Sequence, residues 1–320
     1  MPRYIRNTVI LAKVETTSGT DAVPTNIADA VLVSNVSITP LDANNIDRAL
    51  IRPFFGSSDQ LVGTASIKCS FTVELAGSGV AATPPQWGDL MLGCACAEAS
   101  LTVPNRVEYS PISTALKTLT IYYYDDGVLH KLLGCMGNVK LSAKVGERPM
   151  LMFDFIGTDG GISAVALPTA TLSAWIKPPT MTKANVVDIT LAATYAAGVL
   201  SSGTLYATTG LELDFGNSVN FIPLLSYESV DITDRSISGS VMFDLTGAQE
   251  VTFMASVKAN TTQSLALTIG TAAGNKIILH APTVQMINPT KQELSGRRLI
   301  GYDIRVLPTT GNDEIRIVTQ

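Results

Sequence analysis

Ser66-Ile67-Lys68-Cys69-Ser70-Phe71-Thr72-Val73-Glu74-Leu75 alternates strictly between polar and apolar positions, and Ser236-Ile237-Ser238-Gly239-Ser240-Val241-Met242-Phe243-Asp244-Leu245 keeps the same phase. Period-two alternation describes a strand with one packed face and one wet face. Its repetition predicts a duplicated β domain whose polar face has a use, which points to assembly ahead of catalysis. In the first half, further strands are predicted at residues 8–14, 31–40, 65–75, 116–124, 129–133, 138–145 and 150–156, most of them bounded by Gly, Pro, Asn or Asp. Asp125-Asp126-Gly127 reads as a hairpin turn, because glycine takes the positive φ that a tight turn needs. One helix is predicted at 84–98, opened by Pro84-Pro85, with Trp87, Leu90, Met91 and Cys94 on one stripe at helical spacing.

Lys177-Pro178-Pro179 closes the first unit, since successive prolines break a ladder, and the Ala/Thr/Gly-rich stretch after it reads as a linker with an outlying hairpin. The second unit then repeats the order of the first. Residues 217–223 correspond to 35–40, Asp234-Arg235 to Asp47-Arg48, a predicted helix at 248–258 to 84–98, and 265–270 to 119–123. Residues 299–305 correspond to 150–156, with Tyr302-Asp303-Ile304 matching Phe153-Asp154-Phe155. The first copy alone holds a long stretch, 49–64. The predicted fold class is mainly β: two tandem antiparallel β-sandwich or barrel domains, each with one flanking α-helix. The expected organisation is an N-terminal arm (1–30), a first domain (31–179), a linker and hairpin (180–210) and a second domain (211–320).

Composition narrows the function. The chain has 320 residues, 46% hydrophobic and 15% charged, which excludes a disordered chain and leaves room for two cores. A net charge of −5 without any basic run argues against tight nucleic-acid binding. The apolar stretch Val9-Ile10-Leu11-Ala12 is too short for a signal-peptide core, and no segment reads as a membrane span. Cys69 falls on the apolar phase of its strand, and Cys94-Ala95-Cys96 lacks the second pair or histidines of a zinc site, so no metal is expected. His130 and His280 lie in apolar strand-like runs, where a structural role is the first reading. No Gly-x-Ser-x-Gly elbow is present, and Gly77-Ser78-Gly79 lacks the Lys-Ser/Thr of a phosphate loop. No catalytic residue and no cofactor is therefore expected. What remains are acids at matching wet positions of the two copies, Glu74 with Asp244 and Asp154 with Asp303. Taken singly, each needs no role beyond solubility; taken together, they describe a shared surface with a negative field.

Glu74-Leu75-Ala76-Gly77-Ser78-Gly79, leading into Pro84-Pro85-Gln86-Trp87-Gly88-Asp89-Leu90-Met91, resembles the tail tube (major tail) proteins of long-tailed bacteriophages. Residues 13–20, 108–111, 134–146, 150–157, 234–240 and 311–315 have the same look. The resemblance rests on structural residues and covers nearly the whole chain. It implies a structural virion protein whose strands join between subunits into a barrel, with stacked rings forming the hollow tube that delivers DNA. Rings in that family usually contain six tube domains, so a duplicated chain is expected to form trimeric rings with pseudo-sixfold symmetry. On this reading Glu74, Asp154, Asp244 and Asp303 face the lumen, and the loop carrying Arg52, Phe54 and Phe55 clasps the next ring. The arm 1–30 is a second candidate contact. The implied partners are further copies of the chain, the tape measure protein and genomic DNA held without tight binding, and tail-tip and terminator proteins at the ends, with no membrane. The implied location is the virion tail, with assembly in the bacterial host cytoplasm, and the duplicated chain points to a non-contractile tail. Competing readings are a tail-tip, terminator or capsid decoration component, and a carbohydrate-binding β-sandwich.

Overall fold

The computed structural model describes residues 2–320. The first half contains β1 (Thr8–Val14), β2 (Ala30–Val31), β3 (Ser34–Asp47), β4 (Gln60–Glu74), helix α1 (Gly88–Leu92), β5 (Cys96–Thr102), β6 (Asn105–Pro111), β7 (Leu119–Asp125), β8 (Val128–Lys144) and β9 (Met150–Ala164). The second half contains β10 (Val186–Leu191), β11 (Thr194–Ala196), β12 (Val199–Ser201), β13 (Thr204–Tyr206), β14 (Thr208–Asp214), β15 (Asn217–Leu224), β16 (Tyr227–Arg235) and β17 (Ser238–Phe243). Helix α2 (Gly247–Lys258), β18 (Thr262–Ile269), β19 (Ile277–Leu294), β20 (Arg297–Val306) and β21 (Arg316–Thr319) complete it. All pairings are antiparallel, and the mainly β class with two helices is as the sequence predicts.

The duplication is visible in the pairing. β4 pairs with β9, β9 with β8, and β8 with β7, which in turn pairs with β1. In the second half β17 pairs with β20, β20 with β19, β19 with β18, and β18 with β10. The registers coincide: Ser70 lies opposite Asp154 as Ser240 lies opposite Asp303, and Phe71 opposite Phe153 as Val241 opposite Tyr302. β8 and β19 are long because each changes partner along its length: β8 pairs with β7 at its start and with β14 at its end, and β19 with β18 and then with β20. The two repeats share one apolar core, in which Phe71, Trp87, Tyr109, Phe153, Phe155, Phe243 and Tyr302 are buried. Each side chain of that kind contributes about 1.5–3 kcal/mol on leaving water.

The structure redraws several local expectations. The predicted 84–98 helix shrinks to α1. Its stripe of Trp87, Leu90, Met91 and Cys94 is buried as expected. After Gly93, however, Ala95 turns the backbone to φ 57°, and Cys96 opens a strand in place of a further helical turn. The second predicted helix forms as α2 behind a capping box, with Thr246 and Gln249 satisfying each other's backbone donors. Strands predicted separately at 129–133 and 138–145 are one strand, β8. The N-terminal strand forms at Thr8–Val14, but it is no loose arm: it pairs with β7 along its whole length, and Ile10, Leu11 and Ala12 are buried. Just beyond it the buried Glu15 carboxylate accepts hydrogen bonds from the Thr118 and Thr120 hydroxyls and from the Gly19 and Gly134 amides. Within the stretch read as linker, the β11–β12 hairpin stands apart, whereas β10 joins the second unit with Ile189 and Leu191 buried. In pairing with β18, β10 does what β1 does with β7.

Candidate functional site: the polar sheet face and its two edges

Eight strands form one run, β3–β4–β9–β8–β14–β17–β20–β19, that passes without a break from the first repeat into the second. The joint is β8–β14, where Lys140 lies opposite Asp214, Ser142 opposite Glu212 and Lys144 opposite Gly210. Residues directly opposite in an antiparallel pair share a face. The series Ser70–Asp154–Asn138 on the first repeat therefore connects through Ser142–Glu212 to Ser240–Asp303 on the second. This face is mostly polar, with Met150, Met152, Ile156 and Met242 interspersed among the acids, lysines and hydroxyls, and the intervening positions Phe71, Phe153, Val139, Leu213, Val241 and Tyr302 are buried beneath it.

Glu74 is in phase with Ser70, and Asp244 with Ser240, so all four acids singled out by sequence lie on this one face. Their electrostatic situations differ. Arg148 Nη1 donates to Glu74 Oε1 at 2.5 Å, and Arg297 pairs with Asp244. The two ion pairs occupy equivalent places, since each arginine follows a turn glycine (Gly146, Gly296) just before the strand that pairs with its acid. Asp154 and Asp303, also equivalent, have no cationic side chain within ion-pair distance among the described residues; Asn288 Nδ2 donates to Asp303 Oδ2 at 3.0 Å. Asp154 and Asp303 are thus the two of the four acids without an ion pair, and the exposed Arg305, opposite Ser238, is a cation of the same face.

The joint itself carries charges that the sequence reading missed. Lys140 Nζ lies 3.3 Å from Asp214 Oδ2, and Lys144 Nζ lies 2.6 Å from Glu212 Oε1. Burial pushes the Asp214 carboxyl up, but the Asn138 amide, the Gly216 N–H and Lys140 outweigh it and hold the group below the usual carboxylate range. Glu212 raises Lys144 in turn. Alternation in residues 138–144 and 210–214 marks the wet positions, but nothing local says that these two strands meet.

Both ends of the eight-strand run are open edges. At one end is β3, with Ser37 and Thr39 on the polar face and Val36 and Ile38 packed towards the core. At the other is the C-terminal half of β19, with Thr290 and Gln292 on the polar face and Lys291 turned the other way to pair with Glu250 of α2 at 3.2 Å. A sheet edge offers unpaired N–H and C=O groups to another strand.

The stretch carrying Arg52, Phe54 and Phe55 is the tip of the β3–β4 hairpin. Phe55 is 108% and Phe54 64% exposed, so neither ring packs on its own body. Its base is braced: Arg48 Nη1 lies 2.7 Å and Arg52 Nη2 3.8 Å from the Asp59 carboxylate. A second apolar tip, absent from the sequence reading, occurs at the β15–β16 turn, where Leu225 is 111% exposed and Leu224 and Tyr227 are also exposed. The adjacent leucines between two strands were the available signal.

A protein-family model described as phage tail tube protein matches residues 5–306 of the chain. No curated protein gives a significant match.

Proposed function

Because the chain belongs to the phage tail tube protein family, and is therefore a structural protein of the virion tail, we propose that three copies close into a ring with pseudo-sixfold symmetry and that such rings stack into the hollow tube through which DNA is delivered. The single observation that carries this reading is the eight-strand run with an internal β8–β14 joint and an open edge at each end. One copy already contains two fused repeats in side-by-side register. Repeating the same head-to-tail joint between copies extends the sheet, and a rotation that closes it makes a barrel.

In this barrel the polar face lines the lumen. Glu74, Asp154, Asp244 and Asp303 face inward, with the first and third paired with Arg148 and Arg297, so that beside the exposed Arg305 of the same face Asp154 and Asp303 are the acids left without an ion pair. A wall of that sign lets a polyanion pass without sticking. Arg52, Phe54 and Phe55 at the β3–β4 tip make the contact with the next ring, where the exposed rings leave water. Residues 31–179 and 211–320 serve as the two tube domains, joined by 180–210, with residues 1–30 as a further contact. The same reading makes the tape measure protein and genomic DNA the lumenal partners, tail-tip and terminator proteins the end partners, and the host cytoplasm the place of assembly.

Negative-stain electron microscopy of the purified protein over a concentration series tests the reading. Hollow tubes, or rings with a central pore and three chains, are the expected result. Compact monomers at every concentration, even when a tail-tip component is added, would overturn it.

A further inference from the structure

The two open edges differ from the internal joint in charge, yet they carry enough information to fix how one copy meets the next. Superposing the two repeats by pairing places Thr39 where Asp214 lies, because Thr39 is opposite Lys68 as Asp214 is opposite Ser238. It places Thr290 where Lys140 lies, because Thr290 is opposite Gly301 as Lys140 is opposite Met152. Copying the Lys140–Asp214 register between chains therefore sets Thr39 opposite Thr290.

An independent feature selects the same register. Pro40 follows Thr39, and Pro289 precedes Thr290. Proline has no N–H to give to a ladder. With Thr39 opposite Thr290, antiparallel pairing puts Pro40 opposite Pro289, so both non-donors fall at one end of the seam. Residues 35–39 then meet residues 290–294 with every donor intact, the same length as the internal joint from Lys140 to Lys144. A slip of two in one direction brings Pro40 into the seam opposite Lys291; a slip of two in the other brings Pro289 in opposite Ile38. A slip of one sets core-facing Ile38 opposite the polar-face Thr290, so the faces of the two sheets no longer match. Asn288, with φ 51°, and the bulge between Ile287 and Thr290 also break the strand just before the paired stretch, as the β3 irregularity after Thr39 does on the other side.

We propose that the edge of β3 pairs antiparallel with the C-terminal half of β19 from a second copy of this chain, Thr39 opposite Thr290, with Pro40 and Pro289 together closing the end of the seam. This rests on the ring reading above and adds the partner strand and its register. On the polar face this seam is neutral, with Thr39 and Ser37 beside Thr290 and Gln292, whereas the internal joint is held by two ion pairs. The joint within a chain and the joint between chains are thus chemically distinct versions of one contact.

The test uses the full-length chain with cysteine pairs. All four native cysteines are buried, so a mild oxidant addresses the introduced ones. Directly opposite residues lie about 4.5–5.5 Å apart between Cα atoms, within reach of a disulfide. A slip of two moves the partner about 7 Å along the strand, outside that reach. T39C/T290C, and I38C/K291C for the alternate ladder spacing, are each oxidised during assembly and run on a non-reducing denaturing gel. At least one is expected to form covalent species that stop at three chains, with about tenfold less from the slipped pair T39C/Q292C. Rings by microscopy with more crosslinking in T39C/Q292C, or with none in any pair, would overturn the register while leaving the ring reading intact. Absence of rings from the parent protein is the separate failure that overturns both.

Discussion

Replacing both tip phenylalanines, F54A/F55A, separates folding from stacking. Phe55 is fully exposed and Phe54 nearly two-thirds exposed, so in the isolated chain their removal deletes almost no contact. Surface changes of that kind stay within about ±0.5 kcal/mol of parental stability. If the tip enters the neighbouring ring, each phenyl buried there contributes roughly 1.5–3 kcal/mol. Together they amount to about 3–6 kcal/mol per chain, or a factor of about 10² to 10⁴ in the stacking constant. The expected phenotype is a protein with an unchanged melting temperature that still forms single rings but needs far higher concentrations to form tubes. Tube length by electron microscopy and ring mass by sedimentation read the two levels separately. Tubes of parental length at the parental threshold concentration would refute the clasp. A drop in melting temperature of several degrees would refute it differently, by showing that the tip supports its own body.

Three further outcomes follow from the described geometry. D154K/D303K reverses the two unpaired acids of the polar face and is expected to slow or block DNA ejection with ring formation intact; ejection at the parental rate would remove these carboxylates from any lumenal role. E15A strands two hydroxyls and two amides around a buried site, and a loss of about 3–5 kcal/mol in urea unfolding is expected, whereas a change under 1 kcal/mol would mean that water replaces the carboxylate. Asp214 and Asp21 are both held below the usual carboxylate range, Asp21 because Tyr122, Lys131 and the Val23 amide outweigh its burial. Their folded values lie below their unfolded ones, so their contribution is present above the ordinary carboxylate pKa near about 4 and is lost as pH falls through the folded values. D21N/D214N should therefore flatten the acid limb of a stability–pH curve, and an unchanged limb would assign acid sensitivity elsewhere.

Local pattern carried the fold a long way because alternation is a property of each strand taken alone. The phase of Ser66–Leu75 against Ser236–Leu245 was enough to reveal two repeats, and the structure pairs them with matching partners. Contacts between distant strands were not legible in the same way. Arg148 and Arg297 look like ordinary turn residues until their partners across the sheet, Glu74 and Asp244, are in place. The Lys140–Asp214 pair depends on a joint between strands more than seventy residues apart in number. The shortened helix has a different cause. The Trp87–Cys94 stripe satisfies helical spacing, but a single turn suffices to bury it, and Trp87 is fixed by its own Nε1 donating to the Ala76 carbonyl at 2.7 Å. β10 escaped notice because Val186–Leu191 is short and set among Ala, Thr and Gly, although its Ile189 and Leu191 keep the two-residue period. At the candidate site, phase alone placed the four acids on wet positions, whereas which of them pair with a cation needed the fold.

Fusing the two repeats has released β8–β14 from a rule that binds any ring of identical single units. In such a ring every joint is the same joint, so a mutation that improves one must suit all, and each edge must keep matching the other within one sequence. In the proposed ring, Lys140 and Lys144 can change against Asp214 and Glu212 without altering the edges assigned to another copy. On that proposal, covalent continuity leaves two contacts that can change independently, one held by ion pairs and one neutral.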